Sequence, residues 1–397
     1  MSRPPCSDRS PPYFGSQSVD RSPPNKITAF ALSDVGETVY LSSAVNDQLT
    51  DYQSKEDFGP STEGETLGAY YKPSTDSYNF VAMKTPTPGA VNSGPRVGPI
   101  VISEIMYNPA GSGTGDAEYL ELLNVSSAPV TLYDSVKGKA WRISDGIDFE
   151  FPAVTPLTMA PGERVVITKN LTLFNTVFGA SVPAGTKVFE WITGGLSNGG
   201  ETLQLDRPGG VDALNILQYV RVERVNYEDA APWPTAADGG GPSLTKIAEK
   251  EYGNDFVNWV ALTASPGAIA SGPRFGTWAT GAGLVGANAL PGADPDSDSL
   301  SNLLEYALGT NPAAPNLALA PAISFQNGQT VLQFEVDPAR PDVDYSVEFS
   351  MTLQSGSWQP LESTPLYLSA GKQLRQAVHP LFGMPRCFYR LKATLKP

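Results

Sequence analysis

The residues best suited to do chemistry lie between Ala293 and Pro312, in the stretch ADPDSDSLSNLLEYALGTNP. With the first aspartate counted as position 1, oxygen donors fall at positions 1, 3, 5, 7, 9 and 12, which are Asp294, Asp296, Asp298, Leu300, Asn302 and Glu305. A twelve-residue loop wraps a calcium ion with this spacing, and position 7 then contributes only its backbone carbonyl. Because oxygen-only donors suit a hard cation, the sequence predicts a Ca²⁺ site that relieves the repulsion among the three aspartates.

One position departs from this pattern. The sharp turn at position 6 usually takes glycine, and the residue here is Ser299. A left-handed conformation costs a residue with a Cβ atom roughly 1 kcal/mol. The alternative interpretation is that the aspartates only stabilise the N-terminus of a helix predicted from Leu300 to Leu308. That alternative does not explain why Asn302 and Glu305 also fall in register.

The segment before the loop, GLVGANALPGA, contains Gly and Pro at helix-breaking spacing, so no incoming helix is predicted. The unit therefore resembles the half EF-hands of dockerins and thrombospondin type 3 repeats. After the loop, Leu300, Leu303, Leu304 and Leu308 form an apolar stripe, and Gly309 is a suitable helix terminator. We expect the stripe to pack on a neighbouring domain, so that the ion fixes the loop to that domain.

Composition sets the class of protein that must position this loop. The chain has 397 residues, of which 17% are charged, with 38 Gly and 36 Pro. Short runs of Val, Thr, Tyr and Phe between turn residues predict a mainly β protein of several domains. A net charge of −14 disfavours nucleic-acid and anionic-lipid partners, and no apolar run is long enough for membrane insertion. Cys6 and Cys387 lie at opposite ends, so a disulfide-stabilised fold is not expected.

An internal repeat organises the chain. The segment VAMKTPTPGAVNSGPR at 81–96 recurs as VALTASPGAIASGPR at 260–274, and LSDVGETVYL at 32–41 recurs as LSNGGETLQL at 196–205. Two matched blocks in the same order indicate a duplicated domain. The second copy has a front half, roughly 99–195, that the first copy lacks. The first copy therefore reads as the rear of a domain, and we expect that the N-terminus, which has no signal-peptide pattern, is truncated.

The complete copy contains ISEIMYNP, EYLELLN, PGERVVI and GETLQL in this order. The order resembles the bacterial lamin-tail domain. The resemblance implies an immunoglobulin-like β-sandwich with a binding or scaffolding role and no catalytic residues to carry over. It also implies large secreted or surface proteins, often near spore-coat-type kinase or hydrolase domains. Within EYLELLN, Tyr119 and Glu121 alternate with two leucines, which predicts one packed and one wet face.

The last segment, 321–397, alternates in TVLQFEV and YSVEFS, which predicts a small C-terminal β-sandwich. The expected fold is thus mainly β, with tandem immunoglobulin-like β-sandwiches and one short calcium-loop helix. The predicted segments are a disordered lead-in (1–26), a partial lamin-tail-like domain (27–97), a complete one (98–274), a Gly/Ala linker (275–292), the calcium-binding half EF-hand (293–312) and the C-terminal β-sandwich (321–397).

Other chemistry is weakly supported. His379 is the only histidine and has no nucleophile near it in sequence, which argues against Ser–His and Cys–His catalysis. The segment GDAEYLEL offers Asp116, Glu118 and Glu121 for a glycosidase-type carboxylate pair or a second cation site, but these fit the wet positions of a strand better. In NYEDAAPWP, Trp233 and Tyr227 are candidate ligand-binding residues, with the alternative that Trp233 plugs the end of the sandwich.

These observations favour a non-enzymatic, extracellular or cell-surface binding or scaffolding protein with a structural calcium site. Its expected partners are calcium and, at the cell surface, protein or polysaccharide. Two alternatives stay open: an accessory part of a larger secreted enzyme whose kinase or hydrolase domain lies upstream, and a carbohydrate-binding module.

Overall fold

The computed structural model describes residues 32–46, 48–111, 113–270, 272, 274–315, 321–340, 342–369, 371–380 and 386–396. The predicted lead-in (1–26) and Cys6 lie outside these residues. The described chain is mostly β, with several sheets and three short α-helices, as the sequence predicts. None of the helices in the described residues has the length and hydropathy needed to cross a membrane.

The first described segment consists of two antiparallel hairpins that lie beside the larger domain. Its strands are β1 (Glu37–Val45), β2 (Gln48–Phe58), β3 (Leu67–Lys72) and β4 (Ser77–Ala82). Strand β1 pairs with β2, and β3 pairs with β4. Polar contacts join the segment to its neighbour: Lys72 donates to the Asn254 carbonyl at 3.2 Å, and Ser74 donates to Asp255 at 2.7 Å.

The next domain is a sandwich of two sheets. Its strands are β5 (Ile100–Met106), β6 (Tyr119–Asn124), β7 (Val130–Thr131), β8 (Tyr133–Asp134), β9 (Lys139–Ala140), β10 (Arg142–Ser144), β11 (Ile147–Glu150), β12 (Thr158–Met159), β13 (Arg164–Thr168), β14 (Lys187–Glu190), β15 (Thr193–Gly194), β16 (Glu201–Val211), β17 (Leu217–Tyr227), β18 (Pro242–Lys246) and β19 (Trp259–Thr263). One sheet has the order β15-β11-β10-β16-β17, and the other has the order β14-β13-β6-β5-β18-β19.

The core of this sandwich lies between the two sheets. Ile102 and Leu122 from one sheet and Ile143 and Leu205 from the other are fully buried in a single apolar cluster. Alternating side chains of strands in both sheets point into this layer, as expected for a sandwich. The hydrophobic effect over this cluster therefore holds together strands that are far apart in sequence.

Strand β6 does not have the wet face predicted for it. All six of its residues are buried, including Tyr119 and Glu121. The helix α1 (Leu171–Val177) and the residues after it cover the outer side of the sheet, where Phe174 and Phe178 pack edge-on against Tyr119 at 5.6 and 5.2 Å. The alternation rule fails here because a third layer covers the sheet.

The two hairpins of residues 32–82 reproduce the local geometry of the later hairpins β16–β17 and β18–β19. The Ser33 amide donates to the Glu37 carboxylate at 2.6 Å, and the Ser197 amide donates to the Glu201 carboxylate, also at 2.6 Å. Glu37 opposes Phe58 in the first hairpin, as Glu201 opposes Tyr227 in the second. The matched sequence blocks therefore fold alike at the level of single hydrogen bonds.

The same agreement holds for the turn that follows each second hairpin. The Ala90 amide donates to the Thr87 carbonyl at 3.1 Å, and the Ala268 amide donates to the Ser265 carbonyl at 2.9 Å. Both turns follow strands that align in the repeat, β4 and β19. The two turns thus occupy equivalent places.

The predicted Gly/Ala linker (275–292) is folded, so this part of the prediction was wrong. It contains the helix α2 (Phe275–Gly281) and a 3₁₀ turn, Gly286–Ala289. Phe275 and Trp278 of α2 pack on Tyr306, with ring centroids 5.7 and 5.3 Å apart. Aromatic packing against a distant helix stabilises a segment whose glycines and alanines alone do not specify one.

The helix after the acidic loop, α3 (Asn302–Leu308), begins two residues later than predicted. Ser301 caps it by accepting the Leu304 amide at 3.4 Å, and Gly309 ends it with φ at +71°, as expected of a left-handed terminating residue. Its buried face comprises Asn302, Glu305, Tyr306, Ala307 and Leu308. The predicted leucine stripe is only partly right, because the helix turns its tyrosine, not Leu304, into the core.

The C-terminal segment is a two-sheet sandwich, as predicted from its alternation. Its strands are β20 (Ala322–Gln326), β21 (Gln329–Val336), β22 (Val343–Ser350), β23 (Gln359–Leu361), β24 (Ser363–Ser369), β25 (Lys372–Pro380) and β26 (Phe388–Leu395). One sheet has the order β20-β21-β25-β24, and the other has the order β23-β22-β26. Leu332, Phe334 and Val347 lie in the core between them.

Candidate metal centre

The acidic loop before α3 is wound around its first aspartate. Asp294 accepts the backbone amides of Asp298 at 3.2 Å and Ser299 at 2.9 Å. Ser297 and Ser299 both have positive φ, +63° and +75°, so the chain does make the left-handed turn expected at position 6. These turns direct Asp294, Asp296 and Asp298 toward one another, and one oxygen of each lies within 4.8 Å of the others.

The electrostatics of this group favour a cation. The pKa of the Asp296 carboxyl is raised by desolvation and by the negative charges of Asp298 and Asp294. Its Oδ2 atom accepts no hydrogen bond within the described residues. A bound cation would offset both the desolvation and the repulsion, since each arises from uncompensated negative charge.

Asn302, at position 9 of the loop, is fully buried. Its Nδ2 group donates to the carbonyls of Asn288 at 2.6 Å and Leu290 at 2.9 Å, which ties α3 to the 3₁₀ turn before the loop. Its Oδ1 atom has no hydrogen-bond partner in the part of the chain that the structure describes. A buried acceptor without a donor costs about 1–3 kcal/mol, so this oxygen fits a water or cation that completes its coordination.

The other two predicted ligands are placed differently. The Leu300 amide donates to Asp298 Oδ1 at 2.8 Å, which fixes the backbone at position 7. Glu305 is fully buried on α3, and its Oε1 atom lies 3.5 Å from the hydroxyl of Thr310. Its carboxylate is not part of the three-aspartate group. The structure thus brings three of the six predicted ligands together, and the donors present are the oxygens that a hard divalent cation prefers.

The loop and helix are fixed to the C-terminal sandwich. The Tyr306 hydroxyl donates to Asp342 Oδ1 at 2.5 Å, and the Phe275 amide donates to Asp342 Oδ2 at 3.0 Å. The Tyr345 hydroxyl donates to the Ala307 carbonyl at 2.8 Å. One carboxylate therefore joins both helices to the sandwich, as the expectation of a docked loop requires.

The two candidate ligand-binding residues are core residues, which corrects the sequence-based assignment. Trp233 is only 7% exposed and packs against Trp259 with ring centroids 6.0 Å apart. Tyr227 is fully buried, stacks on Tyr107 at 5.0 Å, and donates its hydroxyl to the Ser197 carbonyl at 2.8 Å. A sugar ring stacks on an exposed aromatic face, and neither residue offers one. Trp233 fills the sandwich, as the alternative interpretation described.

A second acidic cluster involves a residue that the sequence reasoning missed. Glu104 on β5 lies directly opposite Glu121 on β6, and both are buried. Glu104 accepts the Tyr119 hydroxyl at 2.7 Å and the Ser265 amide at 2.9 Å. Glu121 accepts the Gly267 amide at 2.7 Å. The sequence does contain a signal for this residue, because Glu104 is the single charged residue within the apolar run IVISEIM.

Burial raises the pKa of both carboxyls in this pair. The pKa of Glu121 is raised to about 8, first by desolvation and then by the charge of Glu104, while Arg164 at 3.1 Å opposes the shift. Each carboxylate is occupied by donors of the protein itself. The cavity beside them holds about 20 Å³, room for about one water molecule. The pair therefore holds the turn at 265–267 in place through hydrogen bonds. The prediction that Glu121 lies on a solvent-exposed face of the strand was wrong.

The neighbouring acidic residues are also engaged. Lys169 binds Asp116 at 2.9 Å and Glu118 at 3.2 Å. Glu118 further accepts the Leu196 amide at 2.7 Å, and burial raises its pKa. Ion pairing and backbone contacts account for these carboxylates without a second cation.

The single histidine lies in the C-terminal sandwich. His379 is buried, its ring packs at a tilt against that of Phe349 with centroids 4.1 Å apart, and its Nδ1 atom lies 2.9 Å from the Tyr389 hydroxyl. Cys387 Sγ lies 3.8 Å from Nδ1, although His379 is on β25 in one sheet and Cys387 directly precedes β26 in the other. Burial lowers the pKa of His379, as for a core imidazole kept neutral.

Comparison with known proteins agrees with the lamin-tail resemblance for one part of the chain. Residues 94–221 match the family model described as Lamin Tail Domain. No curated protein and no solved structure matches the chain. The matched range begins near the predicted boundary and ends within β17, although β18 and β19 complete the same sandwich. The segment 94–221 is thus similar to a structural, immunoglobulin-like family that is not typically catalytic.

Proposed function

We propose that this protein is a non-enzymatic binding or scaffolding protein of the extracellular space or cell surface, and that it carries a structural calcium site at Asp294, Asp296 and Asp298. The lamin-tail match supports a binding or structural role. The observation that carries the calcium proposal is the convergence of three carboxylates in a loop whose predicted ligand Asn302 has a buried Oδ1 atom without a hydrogen-bond partner in the described residues. An extracellular location is consistent with a Ca²⁺-dependent fold, because calcium is abundant there.

The proposed ion acts structurally. The three aspartates would bind it, and the Leu300 carbonyl, Asn302 and Glu305 complete the predicted ligand set. In the structure the Oε1 atom of Glu305 lies 3.5 Å from the Thr310 hydroxyl. The bound ion neutralises the repulsion within the loop. Since the same loop leads into α3 and the Asp342 contacts, it stabilises the docking of α2 and α3 on the C-terminal sandwich.

The test is calorimetric titration of CaCl₂ into the full chain. We expect one saturable site in the wild type and its loss in Asp296→Asn, which keeps the shape of the side chain but removes its charge. The matched control is Asp344→Asn on the same sandwich, where the carboxylate is 68% exposed and lies outside the group. Equal heats for wild type and Asp296→Asn reject the calcium site while leaving the binding or scaffolding role to be judged on its own.

The partners proposed for the binding role are proteins or polysaccharides at the cell surface. The carbohydrate-binding alternative depended on Trp233, and its burial removes the argument for it. The enzyme-accessory alternative predicts that the gene encodes a kinase or hydrolase domain upstream in the same reading frame. Sequencing that region separates it from the proposal.

A further inference from the structure

The hairpins of residues 32–82 leave open the strand edges that their later equivalents use. In the complete domain, β16 pairs with β10, where Leu205 opposes Ile143, and β18 pairs with β5, where Leu244 opposes Ile105. The equivalent strands β1 and β3 belong to two-stranded sheets in the described chain. Their second edges therefore have no strand beside them, although the Asn92 side chain donates to the Ala69 carbonyl of β3 at 3.1 Å, and such edges are a template for pairing with another chain.

The side chains of the first hairpin show the same incompleteness. Leu196 is 4% exposed and Leu205 is fully buried in the complete domain. Their equivalents in the repeat, Leu32 and Leu41, are 58% and 43% exposed. Leu41 shares one face of the hairpin with Phe58, because Phe58 opposes Glu37 in the register. The front half of the complete domain is what buries the corresponding face there.

A third match concerns the turn after each second hairpin. In the complete domain, Glu104 and Glu121 of the front half hold the amides of Ser265 and Gly267. The equivalent residues are Thr87 and Gly89, in a turn whose Pro88 and Gly89 are exposed. Paired carboxylates on two adjacent strands are therefore the chemistry that this turn lacks.

We propose that residues 32–97 are a docking surface for a polypeptide segment with the chemistry of the front half of a lamin-tail-type sandwich, as residues 99–195 have it in the complete domain. The occupant contributes one strand to the free edge of β1, another to the free edge of β3, apolar side chains that cover Leu32 and Leu41, and two glutamates that bind the turn at 87–89. The complete domain specifies this chemistry, because its residues 99–195 meet the same requirements at the equivalent surface. The inference is independent of the calcium site.

The first experiment builds the missing half into the chain. A second copy of residues 99–195 replaces residues 1–31 of the full chain, so that the junction to Leu32 copies the natural junction to Leu196. Amide hydrogen exchange of β1 to β4 is measured in this protein and in the unmodified chain. We expect exchange in these strands to slow on the order of 100-fold, because the open edges become paired. Unchanged exchange overturns the proposal.

Two variants show which face is responsible. Leu41→Asp places a charge on the face that the occupant covers, whereas Tyr40→Asp places it on the opposite face, where the side chain is 57% exposed. Only Leu41→Asp should abolish the added protection. Equal effects of the two variants contradict the proposal, since they show that the supplied strands do not use this face.

A measurement in trans decides the matter if the extended protein does not fold. A fluorescent peptide with the sequence of residues 99–126, which contains both glutamates, is titrated into the unmodified full chain. We expect the fluorescence anisotropy to rise to saturation as the chain binds the peptide. The affinity should fall at least about tenfold when both peptide glutamates are changed to alanine, because charge-assisted hydrogen bonds are lost. Absence of binding, or binding that does not weaken when both peptide glutamates are changed, rejects the proposal.

Discussion

Glu104 and Glu121 face each other across neighbouring strands and together hold one turn of a distant segment, through the amides of Ser265 and Gly267. The contact closes the complete sandwich, because the turn lies more than 140 residues along the chain from both glutamates. Burying two carboxyls side by side is costly unless one is neutral, and the raised pKa of both groups reflects this.

This pair predicts an unusual dependence of stability on pH. The pKa of Glu121 rises from its ordinary 4.5 to about 8 on folding, so the folded protein binds more protons than the unfolded chain between these values. The free energy of unfolding should therefore fall as pH rises from 5 to 8, by at most about 1.4 kcal/mol per pH unit for one proton. Denaturant titrations should show a flatter profile for Glu121→Gln. The exposed Glu150→Gln serves as the control, and a wild-type profile in Glu121→Gln contradicts the assignment.

Asn302 should stabilise the loop even without calcium. Asn302→Ala removes two hydrogen bonds, to the Asn288 and Leu290 carbonyls, which tie α3 to the 3₁₀ turn before the loop. We expect a loss of about 1–3 kcal/mol in unfolding free energy, measured by denaturant in the presence of a calcium chelator. Asp296→Asn should be close to neutral under the same conditions. The structural role of Asn302 is disproved if its effect disappears once calcium is removed.

Calcium should in turn raise the stability of the full chain. A ligand at one hundred times its Kd stabilises a folded protein by about 2.7 kcal/mol if it does not bind the unfolded chain. We therefore expect the thermal unfolding temperature of wild type to rise with CaCl₂ and to return on chelation. MgCl₂ at the same concentration controls for ionic strength. If the chelator changes the thermal unfolding temperature of no part of the chain, the result argues against a structural calcium ion.

Tyr306 should be the residue that docks α3. Tyr306→Phe keeps the packing against Phe275 and Trp278 but loses the hydrogen bond to the Asp342 carboxylate. A bond to a charged group contributes roughly 1.5–3 kcal/mol, and that is the expected drop in unfolding free energy. Tyr367→Phe, at a side chain 49% exposed on the same sandwich, should change it by less than about 0.5 kcal/mol. Equal effects of the two substitutions refute this role.

Trp233 should be required for folding and not for ligand binding. Trp233→Ala empties a site in the core beside Trp259, and such truncations cost about 3–5 kcal/mol. The measurement is denaturant unfolding followed by the remaining tryptophan fluorescence, with the 98% exposed Val154→Ala as the neutral control. A fully stable Trp233→Ala protein that has lost polysaccharide retention supports the surface role instead.

Local sequence was sufficient for features whose causes are local. The spacing of the aspartates predicted a loop with a left-handed turn at Ser299, and Gly309 marked the end of the helix. The two repeated blocks indicated related local structure, and the amides of Ser33 and Ser197 make the same hydrogen bond to a glutamate four residues on. Each of these features depends on backbone conformations and contacts within a few residues. Residue type controls such local conformations directly.

Tertiary structure decided what depends on distant partners. Helix α1 covers β6, so Glu121 is buried where alternation predicted water. Trp259 and the core of the sandwich enclose Trp233, and the C-terminal sandwich orders the segment predicted to be a linker. The sequence determined which side chains could bind calcium and which hairpins repeat. Only the fold determined which carboxylates meet and which aromatics reach water, because burial depends on all the layers that pack together and not on the period of one strand.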